Sequence, residues 1–168
     1  MILLLDERQR KELAQYSPYI AMLKVSSQNR RYIPMDYLER EIIPGDKLFT
    51  MPSATSYEFG KLMSNVHMAW TRAVCGRLKS DYSYSNTIVY NNFPWPSPTK
   101  AILNARALYP DSNLADLYDP LTMPTELLKA HNANNRAVMD AYGFSIKMSE
   151  ADCVAELMRM YQKLTKEK

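Results

Sequence analysis

Residues 93–98 read Phe-Pro-Trp-Pro-Ser-Pro, and neither a helix nor a central strand can run through them. Proline has no backbone N–H to donate, its ring clashes with the preceding helical turn, and it drives the residue before it out of the helical region. Three prolines at alternate positions therefore divide the chain into residues 1–96 and 97–168. Patterns differ on the two sides: mixed strand and helix signals before the corner, helical spacing beyond it. The expected fold class is α+β, a small β-containing lobe with one long amphipathic helix followed by an all-α C-terminal lobe.

In the first part, Asp6 with Gln9 forms a capping-box pattern for a helix to about Tyr16, stopped by Ser17-Pro18. Residues 19–25 (YIAMLKV) and 31–38 (RYIPMDYL) read as strands, with Pro34 marking the second as an edge strand or a bend. Pro44-Gly45-Asp46 signals a turn before the apolar run Leu48-Phe49-Thr50-Met51. Thr55 and Glu58 form a second capping box. Behind them Phe59, Leu62, Met63, Val66, Ala69, Trp70, Ala73 and Val74 recur at helical spacing. That pattern predicts one long helix with Lys61, Asn65, Arg72 and Lys79 on its polar face. Arg77 falls on the apolar side, so either the helix breaks near Gly76 or Arg77 is partly buried beside a carbonyl or an anion. Tyr82 to Ser85, running into Thr87-Ile88-Val89-Tyr90, reads as strand.

Beyond the corner, Ser97 with Pro98 opens a helix and a short turn follows around Leu114 to Tyr118. A helix is expected from about Pro124 to Tyr142, closed by Gly143 in the left-handed conformation. Ser149 and Asp152 open the last helix, with Val154, Leu157, Met158, Tyr161 and Leu164 along one side.

Several chemistries are disfavoured. The four glycines, Gly45, Gly60, Gly76 and Gly143, never come close enough for a Gly-x-Gly turn, so Rossmann, Walker and S-adenosylmethionine loops are not expected in this chain. Cys75 and Cys153 form neither a CxxC pair nor a Cys/His cluster, which points away from zinc and disulfides and toward a reduced, cytoplasmic setting. No GxSxG elbow is present, and His67 and His131 lie in helical segments. Asp111, Asp116 and Asp119 lack a following Glu-x-Lys and fit capping better than metal binding. The start lacks a basic region before its short apolar run, and no stretch is long enough to span a bilayer, so neither a signal peptide nor a membrane partner is expected.

Asn92 and the prolines after it resemble the Asn-Pro-Pro-aromatic loop that holds a flipped base for amino-group methylation. Here Phe93 intervenes and the prolines alternate with Trp95, so the paired carbonyl acceptors are not reproduced. A structural corner packed by Tyr90, Phe93 and Trp95 fits better than a catalytic loop.

Charge is more informative. The net charge is +3, but residues 1–100 carry 13 Lys and Arg against 9 Asp and Glu, while the remainder is slightly acidic. A polyanion would meet the first part. Lys61, Arg72, Arg77 and Lys79 occupy residues 59–80 without a carboxylate, and Tyr82 and Tyr84 follow. With Lys24, Arg30 and Arg31 they offer phosphate contacts and hydroxyl donors for DNA; they fit an ordinary solvated helix face as well.

The long segment FGKLMSNVHMAWTRAVCGRLKSDYSYSNTIVYNNFPWP, Phe59 to Pro96, resembles the end of the target-recognition region in the MmeI-like family of restriction–modification DNA methyltransferases. The likeness continues through Ser112-Asn-Leu-Ala-Asp-Leu-Tyr-Asp-Pro-Leu-Thr-Met-Pro into Lys129-Ala130-His131. Upstream it includes Val25-Ser-Ser-Gln-Asn-Arg-Arg-Tyr-Ile-Pro34. The resemblance implies that residues 1–96 are the latter part of a recognition domain and residues 97–168 a helical C-terminal domain. The adenine-N6 methyltransferase core, with its S-adenosylmethionine site, would then lie upstream, leaving this chain without cofactor or catalytic residues. Double-stranded DNA and that upstream domain are the implied partners, with Lys24, Arg30, Arg31, Arg72, Arg77, Lys79, Tyr82 and Tyr84 as candidate DNA contacts. Arginine's fork makes Arg30 and Arg31 the better base readers. The alternative is a helical interaction module that braces other domains without touching DNA.

Overall fold

A computed structural model describes residues 18–39, 42, 44–95 and 123–166. The helices expected after Asp6 and at Ser97-Pro98, and the turn at Leu114 to Tyr118, lie outside the described residues. Strands β1 (Tyr19–Leu23) and β2 (Val25–Ser26) are one extended segment interrupted at Lys24. β1 joins β3 (Met35–Leu38) and β4 (Leu48–Met51) in an antiparallel sheet of order β3-β1-β4. The period of two sorts its faces: Ile20 and Met22 enter the main core, while Tyr19 and Ala21 pack with Leu38 and Leu48 on the other side. Pro34 directly precedes β3, an edge strand, where a missing N–H is tolerated.

The long amphipathic helix is two helices, α1 (Ser56–Leu62) and α2 (Asn65–Val74). Thr55 and Glu58 form the expected capping box at α1. Ser64 makes the break: its Oγ donates to the Lys61 carbonyl at 2.6 Å and accepts from the His67 N–H at 3.2 Å, ending one helix and capping the next. The polar placement expected for Lys61, which lies in α1 before the break, does not hold, because the rest of the fold covers that side of the short helix. Lys61 is buried, its ammonium 3.5 Å from the Tyr57 ring centroid, and burial lowers its pKa to about 8. α2 ends at Val74 with Cys75 extended, so Lys79 leaves the helix face and the break near Gly76 resolves the position of Arg77.

Strands β5 (Gly76–Leu78) and β6 (Asp81–Ser83) form a hairpin whose neighbour is β2, giving a second sheet of order β2-β6-β5. The strand expected at Thr87 to Tyr90 is instead part of a π-helical turn, Asn86–Tyr90. Local polar side chains override the β-branched pattern there: Ser85 Oγ accepts from the Ile88 N–H at 3.2 Å, and Asn92 Nδ2 donates to the carbonyls of Thr87 and Ile88, both at 3.2 Å.

The described C-terminal part is helical, α3 (Thr125–Tyr142) and α4 (Glu150–Lys166). Gly143 closes α3 with φ 70°, and Ser149 caps α4 by accepting from the Asp152 N–H at 3.1 Å. The mixed α+β class holds, but the core does not stop at the proline corner. Phe59, Leu62, Val66 and Trp70 form one continuous cluster with Phe93, Leu127, Val138, Met139, Cys153 and Leu157. Among the described residues no helix is long and apolar enough to cross a membrane.

His67 sits at the centre of that core with no exposed surface. Its Nδ1 is 3.0 Å from the Leu62 carbonyl, which only accepts, so Nδ1 carries the proton and Nε2 accepts from the Tyr84 hydroxyl at 2.9 Å. Burial pushes its pKa down to about 4, below the ordinary 6.5. The folded value lies below the unfolded one, so the stabilisation is complete above pH 6.5 and is lost as pH falls toward 4. The full loss is roughly 3 kcal/mol, of which about 2 is gone by pH 5 while most carboxylates are still ionised. Urea unfolding at pH 7 and pH 5 should show the midpoint falling with acid, and His67→Gln should flatten the difference.

Candidate nucleic-acid interface

The second sheet brings the two basic segments together. Val25 pairs with Ser83 and Ser26 with Tyr82, and the Tyr84 N–H donates to the Lys24 carbonyl at 2.8 Å. Residues 24–26 are thus stitched to residues 82–84. Lys24 lies at the β1–β2 break, its ammonium donating to the Asp46 carbonyl and standing 5.2 Å from the Phe49 ring centroid. Arg30 closes the turn after β2, its N–H donating to the Ser27 carbonyl at 3.2 Å, and is half-buried. Arg31 is exposed and donates from Nη2 to Asn132 Oδ1 at 3.1 Å.

Arg77 and Lys79 lie on the exposed β5–β6 hairpin. The Arg77 guanidinium lies 4.1 Å from the Tyr82 ring centroid and donates to the Ser80 carbonyl at 3.3 Å. Arg77 and Tyr82 are a cross-strand pair, so their side chains share a face and the buried Tyr82 ring supports the cation. Lys79 and Ser80 make a two-residue turn, in which Lys79 adopts φ 57°. Such turns need a left-handed residue and normally use glycine or asparagine there. The helix expected from the sequence runs on toward Lys79 and the expected strand begins only at Tyr82, so the hairpin is missed; Lys-Ser is not a turn pair that announces one.

Arg72, Tyr82 and Tyr84 are placed differently from the others. Arg72 Nη1 is 3.0 Å from Glu150 Oε2 at the start of α4, so its guanidinium is engaged with the helical part. Tyr82 and Tyr84 are both buried, Tyr84 holding His67, and neither ring forms part of the exposed surface. Burial also raises the Tyr84 pKa well above the ordinary phenol value.

A second polar system, on α3, secures this surface from behind. Tyr32 is buried, its ring stacked on His131 with centroids 4.3 Å apart and planes 16° from parallel. Its hydroxyl accepts from Asn135 Nδ2 at 2.9 Å, while Asn135 Oδ1 accepts from the Asn65 N–H at 2.8 Å. Asn134 Nδ2 donates to the Gly60 carbonyl at 2.7 Å. Asparagines on a helix read as exposed polar residues in a sequence, and nothing in their spacing signals this seam.

The glycines are scattered through the fold: Gly45 in the turn before β4, Gly60 within α1, Gly76 at the head of β5 and Gly143 at the end of α3. None of these four glycines forms the strand-to-helix turn that an S-adenosylmethionine cradle uses.

Comparisons with known proteins agree on a family. Residues 5–97 match the family described as MmeI, target recognition domain, and residues 97–167 match MmeI, C-terminal domain. DNA methyltransferase A of Bacillus subtilis (strain 168) is 38% identical over 168 residues, covering 94% of this chain and 19% of that protein. The solved structure of the Type IIL restriction-modification enzyme MmeI in complex with DNA superposes with a TM-score of 0.82 at 43% identity, covering 88% of this chain and 21% of that one. The chain therefore spans about a fifth of the length of each relative.

Proposed function

The chain belongs to the MmeI family of restriction–modification DNA methyltransferases, as its target recognition and C-terminal regions, and on that premise we propose that it grips duplex DNA for a methyltransferase domain carried elsewhere in a longer protein. Residues 1–96 supply the DNA surface, and residues 97–168, through the helices Thr125–Tyr142 and Glu150–Lys166, hold it in shape. Lys24, Arg30, Arg31, Arg77 and Lys79 make the contacts; Tyr82 carries Arg77, while Tyr84 and Arg72 serve packing and bracing. The observation that carries this reading is the β2–β6 pairing, which joins the backbones of the two distant segments that carry the basic residues. Adenine-N6 methylation and S-adenosylmethionine binding fall to the partner domain, since the glycines of this chain form no cradle for the cofactor. A cytoplasmic location follows from the same reading, because the substrate is the cell's DNA.

Lys79 adds support. A left-handed backbone costs a non-glycine residue about 1–2 kcal/mol, and strain of this kind collects at working positions. Lys79→Gly should leave the chain as stable or up to about 1 kcal/mol more stable. The same change should weaken DNA binding and lower the salt slope by about one. A variant that binds as tightly as the parent, with the same slope, would take Lys79 out of the interface.

The test of the whole reading is retention of duplex DNA by the chain across a salt series. Binding should fall steeply as salt rises, because released counterions drive it. Binding that ignores salt, or none at low salt, would leave the bracing-module reading in place.

A further inference from the structure

We infer that Asn132, on the C-terminal helix α3, is a positioning residue for Arg31 and so takes part in base selection from outside the recognition domain; this rests on the DNA-gripping function proposed above. Arg31 is exposed, and a free arginine side chain samples many rotamers. Two contacts limit it here. Asn132 Oδ1 accepts from Nη2 at 3.1 Å, and the guanidinium carbon lies 5.7 Å from the Tyr32 ring centroid, within cation–π range.

Neither support is free to drift. Tyr32 is clamped between His131, stacked at 4.3 Å, and Asn135, which bonds its hydroxyl at 2.9 Å. Asn135 is also bonded to the first residue of α2, and Asn134 to Gly60 in α1. These residues share one stretch of α3 with Asn132, so the helix cannot rotate or slide without breaking buried bonds. Asn132 itself is exposed, the placement of a residue that acts on a neighbour's side chain rather than on the core.

The bond to Asn132 uses one of the five N–H donors of the fork. A bidentate contact to the O6 and N7 edge of a guanine remains geometrically open to the others. Fixing the fork before DNA arrives removes an ordering cost, which sharpens discrimination at the base it reads without adding charge.

The experiment selects bound duplexes from a library with a randomised central block, using the chain, Asn132→Ala, Arg31→Ala and the double variant, followed by sequencing. Arg31→Ala should relax the preference at one base pair by roughly 5- to 100-fold. Asn132→Ala should relax the same base pair by about 2- to 10-fold and leave the salt slope unchanged. In the Arg31→Ala background it should have no further effect. Asn132→Asp keeps the acceptor and should restore the preference while lowering affinity overall. Melting temperatures of the Asn132 variants should match the parent, separating positioning from unfolding. An Asn132→Ala variant that leaves the preference untouched, relaxes a different base pair, or adds fully to Arg31→Ala overturns the inference while the DNA-gripping reading survives. Failure of the parent chain to retain duplex overturns both.

Discussion

Trp70→Ala is expected to destabilise the chain by about 4–5 kcal/mol, from the lost aromatic contacts, the cavity left behind and an orphaned carbonyl. Trp70 is 2% exposed, its Nε1 donates to the Val89 carbonyl at 2.9 Å, and its ring lies 6.3 Å from Phe93 and 6.2 Å from Tyr161. One side chain thus joins α2 to the π-helical turn, the proline corner and α4. Marginal stability of about 5–15 kcal/mol makes this a large fraction of the total, and the melting temperature should fall by roughly 10–20 °C. Trp70→Phe keeps much of the packing and loses the N–H, so it isolates the hydrogen bond at about 1–3 kcal/mol. A shift of only a few degrees in Trp70→Ala would mean that α4 and the corner do not pack on α2 as described.

The second large effect concerns binding. Replacing Arg30, Arg31, Arg77 and Lys79 together with alanine should weaken duplex binding by on the order of 100-fold or more at low salt. It should also reduce the log–log salt slope by about 2–4, about 0.9 for each of the four that meets a phosphate rather than a base edge. Arg31, Arg77 and Lys79 are exposed and Arg30 is half-buried, so the cost to folding should stay small; Arg31 and Arg77 each also lose a cation–π contact, worth about 0.5–1 kcal/mol at an exposed site. Circular dichroism and a melting curve on the same sample separate the two effects. Arg72→Ala offers a contrast: its ion pair joins α2 to α4, so its effect on binding should be slight beside that of the four. An Arg72→Ala variant as defective as the fourfold one would move the interface to the α2 face.

The proline corner shows how far local chemistry carries. Phe93-Pro94-Trp95 was legible as a packed turn, and it is one: Tyr90 and Phe93 meet Trp95 edge-on at 5.1 and 5.4 Å, and the Tyr142 hydroxyl donates to the Pro94 carbonyl. Its role as a boundary was only half of the matter, because the apolar core continues across it.

What the sequence determined by itself was whatever depends on neighbours a few residues apart. The capping box at Thr55 and Glu58, the glycine cap at Gly143, the Ser149 cap and the alternation of Ile20 and Met22 are local contests that nearby atoms decide. Family membership was equally readable, through long shared motifs. Only the tertiary structure decided the break at Ser64, the burial of Lys61, the inward turn of Tyr82 and Tyr84, and the commitment of Arg72 to Glu150. The same holds for the seam where Asn132, Asn134 and Asn135 meet residues about 70 to 100 positions earlier. A polar side chain on a helix carries no mark of whether solvent or another segment will satisfy it. Its burial is set by which surfaces meet, and that is fixed by the packing of the whole chain.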